Sequence, residues 1–142
     1  MADYIKLKNK IKKNEGFRSN AYFDQLGFLT IGFGHLIKKN EKYLLNNRQT
    51  KKNLIKIFDL DFNKALSDYN ITYKKYNFSK KIEYTLIEMI FQLGLKKQKK
   101  FKKMIKYFVD KKIYMACIEM KKSLWYQQTP KRVNGLIKGL ID

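Results

Sequence analysis

Apolar residues at helical spacing run through this 142-residue chain from about residue 50 onward. They recur three and four positions apart, which is typical of amphipathic helices packed on a shared core. A chain with this pattern is expected to fold mostly into helices, and the methionine and aromatic members of the stripes are interpreted as core. The stripes are Leu54 to Tyr69, Ile82 to Leu93, Phe101 to Phe108, Ile113 to Met120 and Val133 to Leu140.

Several stripes also carry recognisable helix ends. The first of them predicts a long helix from about residue 50 to residue 69. Ser79 is a candidate N-cap and Gly94 a candidate stop for the next helix, while Thr129 followed by Pro130 predicts the start of the last one. No Pro-rich or Ser-rich linker divides the chain, so one domain of ordinary size is expected, able to bury roughly two thirds of its unfolded surface.

The first 33 residues differ from this pattern. Apolar spacing predicts an amphipathic helix over residues 3 to 15, with Glu15 continuing its apolar stripe and Gly16 suited to a left-handed cap. Residues 21 to 24 and 28 to 33 are predicted to form two short strands around a turn. If Asp24 pairs opposite Phe28, Tyr22 faces Thr30, and these side chains share one face of a hairpin.

Two carboxylates around a hairpin suit glycosidic bond cleavage. One carboxyl must hold a proton for the departing oxygen while the other stays ionised. A glutamate with a pKa near 4.3 is on the order of 0.2 % protonated at pH 7, and desolvation that raises the pKa to about 6 gives roughly 9 %. The residues alone leave an alternative open, because a Glu at a helix end is usually a solvated surface residue and an Asp before Gln-Leu-Gly a turn residue.

Three motifs in matching order resemble the phage-type lysozymes, the T-even endolysin family of glycoside hydrolases. The first runs from Asn14-Glu15-Gly16-Phe17-Arg18 through Tyr22, Asp24 and Gly27 to Thr30-Ile31-Gly32-Phe33-Gly34-His35. The second is Met89-Ile90-Phe91-Gln92-Leu93-Gly94, and the third extends from Ser123-Leu124-Trp125 to Thr129-Pro130-Lys131-Arg132. Together they extend over most of the chain.

The resemblance implies a catalytic role for three residues. Glu15 would be the general acid, Asp24 the carboxylate that stabilises the cation or positions water, and Thr30 the hydroxyl that holds this water. Family members invert at the anomeric carbon, which fits carboxyl groups about 6.5 to 9.5 Å apart. No cofactor, metal or covalent intermediate is expected.

Other positions match supporting residues of the family. Arg132 matches the arginine that pairs with the catalytic glutamate, and Tyr22 belongs to the same supporting set. His35 and Asp61 match a structural salt bridge away from the chemistry. Residues expected to line the sugar-binding cleft are Leu36, Phe91 and Gln92. Two positions differ from the family pattern, because Met104 and Glu119 stand where the family often has small polar residues that contact substrate. No substrate-binding role is therefore assigned to either residue.

The fold implied by the resemblance is α+β and mostly helical. A small β-hairpin lobe, about residues 14–60, and a larger helical lobe, residues 1–13 and 70–142, would be joined by the long helix within a single lysozyme domain, 1–142. The active-site cleft would lie between the lobes. The stretch from Leu36 to Thr50 and the end after Arg132 are short for the family, so the hairpin lobe and C-terminal end are expected to be trimmed.

The implied function is hydrolysis of the β-1,4 bond between N-acetylmuramic acid and N-acetylglucosamine in peptidoglycan, causing lysis of a bacterial host. The expected protein is a monomer. It is expected to be made in the host cytoplasm, because Met1-Ala2-Asp3-Tyr4 lacks the basic and then apolar pattern of a signal peptide. It would reach the wall through a separate membrane lesion. No run of about 18 apolar residues predicts a membrane span. The single cysteine, Cys117, and single histidine argue against a usual zinc site.

The formal charge of +20, from 32 basic and 12 acidic residues, allows other classes of function. Such charge would concentrate the protein at anionic cell envelopes, or simply form a solvated face that reflects biased coding composition. A basic nucleic-acid-binding or envelope-binding protein without catalysis is the alternative, although no recognised nucleic-acid motif is present. A wall-binding protein that has lost catalysis is a third reading. The lysine strip consists of Lys96, Lys97, Lys99, Lys100, Lys102, Lys103, Lys106, Lys111 and Lys112.

Overall fold

The computed structural model describes residues 4–46 and 48–142. It confirms the predicted α+β class, with many helices and one small antiparallel sheet. The chain forms two compact units, Met1–Lys64 and Ala65–Asp142. The predicted division into lobes, with residues 1–13 placed beside residues 70–142, stays a prediction, and its residues 1–3 lie outside the described part of the chain.

Unit 1 contains the first helix and the sheet. Its first helix ends at Glu15 as predicted but begins at Ile5, after Tyr4, and residue 3 of the prediction lies outside the described residues. Gly16 ends this helix with φ 73 and ψ 178, so the positive φ is as expected but the backbone is extended rather than left-handed helical. The elements are α1 (Ile5–Glu15), β1 (Arg18–Phe23), β2 (Leu29–Gly32), β3 (His35–Leu36), α2 (Tyr43–Asn46) and the first part of α3 (Lys51–Tyr73).

The hairpin has the predicted register. Tyr22 pairs with Thr30, and the Asp24 amide donates to the Phe28 carbonyl oxygen at 2.9 Å, closing the turn one step further along. A third strand, β3, was not predicted and pairs with β2 on its other side. A run of two residues is too short to show a period of two, so β3 has no recognisable signal in the sequence.

The core of unit 1 fixes this sheet in place. Ile31, Leu44 and Leu54 are buried together, with Ile37 and Ile57 packed against them. Full burial of each such side chain stabilises the fold by about 1.5–3 kcal/mol. The cluster therefore joins β2, which carries Thr30, to helices α2 and α3.

Unit 2 is helical. Ser79 Oγ accepts a hydrogen bond from the Ile82 amide and Gly94 ends the helix with φ 81, so the predicted start and stop of α4 are both confirmed. The short helices α5 and α8 were not predicted. The elements after α3 are α4 (Lys80–Leu93), α5 (Leu95–Gln98), α6 (Lys102–Val109), α7 (Ile113–Lys121), α8 (Leu124–Gln128) and α9 (Pro130–Ile141).

The apolar stripes of unit 2 meet in its core as expected. The buried residues include Leu86, Met89, Phe108, Met120 and Val133. Met104, at one of the two departing positions, is fully buried, so it is a core residue. Within the described residues no helix combines the length and the apolar character that crossing a bilayer demands.

Candidate active site

Glu15 is the last residue of α1, where it is half-buried beside Gly34. A Cβ atom placed on Gly34 would lie 2.5 Å from Oε1 of Glu15 and 2.8 Å from its Cδ. Gly34 also has a φ of +79, which L side chains rarely adopt. The turn after β2 therefore presents bare backbone to the Glu15 carboxyl group, and any side chain there would displace it.

Asp24 is fixed by the turn that follows β1. Its Oδ1 accepts hydrogen bonds from the amides of Leu26, at 2.9 Å, and Phe28, at 2.8 Å. These two amide donors hold the Asp24 carboxyl group in one orientation. With Oδ1 occupied in this way, Asp24 is oriented as an acceptor.

Thr30 lies on β2 and is 2 % exposed. Its hydroxyl group donates to the carbonyl oxygen of Phe28 at 2.9 Å. The amide N–H of Phe28 serves Asp24 while its C=O serves Thr30, so both predicted catalytic side chains are tied to one residue. Because its single proton is used in this bond, the Thr30 hydroxyl oxygen can offer only acceptor lone pairs to a further group.

Tyr22 lies in the electrostatic field of both carboxylates. Burial raises the pKa of its hydroxyl, the negative charges of Glu15 and Asp24 raise it further, and the charge of Arg18 acts in the opposite direction. The Arg18 guanidinium carbon lies 4.5 Å from the centre of the Tyr22 ring, a cation–π distance. The charges of both predicted catalytic carboxylates therefore act on Tyr22, and its supporting role stays a prediction.

Arg18 was quoted in the motif but was given no role from the sequence. Its side chain helps to line a cavity of about 370 Å³ formed by residues 17–22. A volume in this range can admit a small ligand. The available signal for Arg18 was its position two residues after the glycine that ends α1. A single basic residue is not conspicuous in a chain with 32 of them.

Leu36 joins the same row of the sheet. Tyr22 pairs with Thr30 on one side, and Thr30 pairs with Leu36 on the other. Directly paired residues place their side chains on one face of a sheet. Leu36 is 54 % exposed, so it presents an apolar surface beside Thr30.

In unit 2, Phe91 and Gln92 lie at the end of α4, and Gln92 is held by α8. Its Oε1 accepts from the Trp125 indole nitrogen at 2.8 Å, and its Nε2 donates to the Thr129 hydroxyl oxygen at 3.4 Å. That hydroxyl in turn donates to the Trp125 carbonyl oxygen at 3.0 Å. Trp125 and Thr129 belong to the third sequence motif, where no role was predicted for them. In the structure they orient Gln92.

Arg132 lies mostly buried beside a carboxylate within unit 2. Its Nε donates to Oε2 of Glu88 at 3.1 Å, and the side chains are 10 % and 0 % exposed. No role in the site was predicted for Glu88. Pairing of Arg132 with Glu15, implied by the resemblance, stays a prediction.

His35 has the structural role implied by the resemblance. Its Nδ1 lies 2.7 Å from Oδ2 of Asp61, and its Nε2 lies 3.0 Å from Oε1 of Glu41, a second partner that the sequence did not indicate. Burial alone lowers the pKa of His35, but the hydrogen bond and charge of Asp61, followed by those of Glu41, raise it above the ordinary value. Both ring nitrogens are occupied, which leaves neither of them for acid–base chemistry.

The α+β fold and the predicted site residues are those expected of a glycoside hydrolase of the lysozyme kind, and comparison with known proteins identifies the family. The family model described as phage lysozyme matches residues 12–139. The chain therefore belongs to the phage lysozyme family. As a member it is a glycoside hydrolase, a lysozyme, and the family implies a peptidoglycan substrate.

Two similar proteins come from Dictyostelium discoideum. One, named probable T4-type lysozyme 2, is 33 % identical over 156 aligned positions that cover 92 % of this chain and 91 % of the relative. Another, probable T4-type lysozyme 1, is 29 % identical over the same length, with the same coverage. The similarity thus extends over nearly the whole of each protein.

Proposed function

We propose that this lysozyme hydrolyses the β-1,4 bond between N-acetylmuramic acid and N-acetylglucosamine with inversion at the anomeric carbon. The observation that carries the proposal is the pair of hydrogen bonds that tie Asp24 and Thr30 to Phe28. That pair leaves two acceptor atoms, Asp24 Oδ2 and Thr30 Oγ1, for one water molecule. Family membership supports the choice of substrate.

The first step belongs to Glu15. Its protonated carboxyl group gives a proton to the glycosidic oxygen, so the bond from that oxygen to the anomeric carbon can break as positive charge develops on the sugar ring. The half-buried position against Gly34 supports this role, because it limits the orientations open to the carboxyl group. The leaving sugar takes the proton as its new hydroxyl hydrogen.

The second partner is water held by Asp24 and Thr30. A water molecule that donates one proton to Asp24 and the other to Thr30 must direct its lone pairs away from both acceptors. Its oxygen then attacks the anomeric carbon on the face opposite the leaving group, and its proton passes to Asp24. Holding the reactant in this geometry removes much of the entropic cost of the attack.

The remaining predicted residues act on the substrate. Leu36 beside Thr30 offers apolar contact to a sugar face, and Gln92, oriented by Trp125 and Thr129, offers amide hydrogen bonds. Phe91, one residue before Gln92 on α4, would add an aromatic contact. Arg132, held at its Nε by Glu88, would orient Glu15.

The stereochemical outcome tests the water-mediated arrangement. Proton NMR of a glycan digest, recorded before mutarotation, should show the α anomer of the newly released muramic acid as the first product. A β anomer as first product would show retention, which requires a covalent or equivalent intermediate and contradicts the proposal.

Matched variants at position 30 test the hydroxyl group. Thr30→Val keeps the shape of this buried side chain and removes the acceptor, so kcat should fall about 100-fold. Thr30→Ser keeps the oxygen and should retain most of the activity. Equal activity in the two variants would exclude the hydroxyl group from the reaction.

The biological setting is also part of the proposal. We expect a monomer that acts in lysis of a bacterial host, held in the host cytoplasm until a membrane lesion lets it reach the wall. Lysis timed by such a lesion predicts that the protein expressed alone in a bacterium does not clear the culture until the inner membrane is permeabilised. Clearing without permeabilisation would contradict this setting.

A further inference from the structure

Helix α7 is apolar on both of its sides. Its inner stripe, Ile113, Ala116, Cys117 and Met120, contributes three fully or nearly fully buried side chains to unit 2. The outer stripe is formed by Tyr114, Met115 and Ile118, which are 70 %, 42 % and 47 % exposed. A helix that is apolar all round is normally covered all round. The outer stripe of α7 is therefore a surface whose composition suits an apolar environment.

Lysines lie at both ends of this outer stripe. Lys121 and Lys122 follow Tyr114 by seven and eight residues, which places them on the same side of the helix, and Lys111 and Lys112 come directly before the helix. All four are exposed. Lys122 also bonds Oε2 of Glu119 at 3.2 Å, yet its side chain remains 68 % exposed.

The acidic residues of this segment do not cancel the positive charge. Asp110 and Glu119 face four lysines, so residues 110–122 carry a net charge of +2 (four minus two). Helix α6, which packs against α7, adds the exposed Lys102, Lys103 and Lys106. An apolar stripe with basic ends is suited to a partner that has both an apolar layer and negative charges at its surface.

We propose that the outer face of α7, formed by Tyr114, Met115 and Ile118, docks on the surface of an anionic lipid bilayer. The three apolar side chains would enter the boundary between head groups and acyl chains, and the lysines would reach the phosphates with their stems along the apolar layer. Tyrosine is favoured at this depth, because its ring is apolar and its hydroxyl group polar. The charge and the apolar area are thus satisfied by one surface.

Other partners fit the face less well. A second copy of this chain would bring lysines against lysines, which repel. A nucleic acid would satisfy the lysines through its phosphates but leaves Ile118 and Met115 without apolar contacts. Both partners remain outcomes of the test below.

The test uses vesicles and two matched isoleucine substitutions in the full chain. Ile118→Gln removes an apolar side chain from the outer face, while Ile71→Gln makes the same change at an 81 % exposed position on α3. Binding to sedimented vesicles of phosphatidylglycerol and phosphatidylethanolamine should weaken about fivefold or more with Ile118→Gln and less than twofold with Ile71→Gln. Vesicles of phosphatidylcholine alone should bind poorly.

Several results would overturn the proposal. Equal binding of both variants would mean that lysines alone attract the membrane, and no binding by the unchanged protein would exclude lipid altogether. A gel shift of random duplex DNA that is sensitive to Ile118→Gln, without vesicle binding, would assign the face to nucleic acid, and concentration-dependent dimers would assign it to a second copy. Hydrolysis of soluble glycan fragments should be unchanged in both variants, so failure here is distinguishable from failure of the proposed chemistry.

Discussion

Gly34 leaves the space that the Glu15 carboxyl group occupies. A Cβ atom added at position 34 would lie 2.5 Å from Oε1 of Glu15. The contact explains why the glycine-spaced segment after β2 accompanies a glutamate at the end of α1, two features that are 19 residues apart in the sequence. We therefore expect a side chain at position 34 to affect catalysis by displacing Glu15, the predicted general acid.

Gly34→Ala should therefore lower activity more than it lowers stability. The positive φ costs about 1–2 kcal/mol for an L residue, and the displaced carboxyl group should reduce kcat about 100-fold. Chemical denaturation and wall-clearing rates measure the two effects. Gly94→Ala is the control, since Gly94 has a φ of +81 with no atom within 4 Å of an added Cβ. A similar loss of activity in both variants would contradict the role of the Glu15 contact.

The residues that the sequence failed to indicate share a physical cause. Glu88 interrupts an apolar run on α4, and nothing in the sequence around it indicates a partner. Its partner Arg132 lies 44 positions away, and such a pairing depends on how α4 and α9 pack. Glu41 escaped notice for a similar reason, because its bond to His35 arises from a 3₁₀ turn at Lys39–Glu41 that has no periodic signal.

Among the elements, those with local signals were predicted and those without were not. The register of β1 and β2 followed from a period of two and a glycine-containing turn, and α4 followed from its stripe and its two caps. Helix α8 has only five residues, fewer than two turns, so no stripe can be recognised in it. Yet α8 carries Trp125, which orients Gln92.

Ser123→Ala tests how far Gln92 depends on α8. Ser123 Oγ accepts from the Tyr126 amide at 3.1 Å and donates to the Met120 carbonyl oxygen at 2.6 Å, so it joins the end of α7 to the start of α8. Loss of such a cap costs about 1 kcal/mol. We expect that loss in denaturant unfolding, together with a KM raised several-fold because Trp125 and Gln92 loosen. Ser79→Ala, at the cap of α4, is the comparison for a cap on another helix, and an unchanged KM for Ser123→Ala would separate α8 from substrate binding.

His35 joins β3 to α3 and to the 3₁₀ turn, and this junction should make stability depend on pH. The folded pKa of His35 lies above 6.5, so its contribution is complete below about pH 6.5 and is lost as pH rises through the folded pKa. Burial raises the pKa of Glu41, but the Lys38 amide and His35 lower it below 4.5, so its contribution is lost as pH falls through that folded value. The junction is strongest between these limits.

Unfolding free energies measured across pH check this prediction. Between about pH 6 and pH 9, the free energy of unfolding of the unchanged protein should fall by on the order of 1 kcal/mol more than that of the His35→Gln variant. Glu41→Gln should reduce the dependence above pH 6.5 without abolishing it, since Asp61 remains at 2.7 Å. An equal slope in the protein and in His35→Gln would assign the dependence to other groups.

For the whole molecule, the dominant physical property is the net charge of +20. All nine lysines of the lysine strip are exposed, so their charges act on solution rather than within the fold. Clustered exposed charges attract anionic surfaces over a distance that shrinks with salt, about 8 Å at physiological ionic strength. We expect charge of this kind to raise the rate of encounter with an anionic envelope more than it changes the chemistry proposed for Glu15 and Asp24.

Activity against intact cell walls should therefore fall steeply with added salt. We expect clearing rates to drop about 10-fold between 0.05 and 0.5 M salt, while kcat/KM for a short neutral glycan should change less than twofold, because only the encounter with the wall is screened. Replacing Lys96, Lys97 and Lys99 with Gln should lower the clearing rate at low salt and flatten its dependence on salt concentration. The same replacement of three exposed lysines of α1, Lys6, Lys10 and Lys13, tests whether the position of the charge matters or only the total charge. A flat profile in the unchanged protein would remove envelope attraction from the account of its charge, and would leave the lysines as a solvated face.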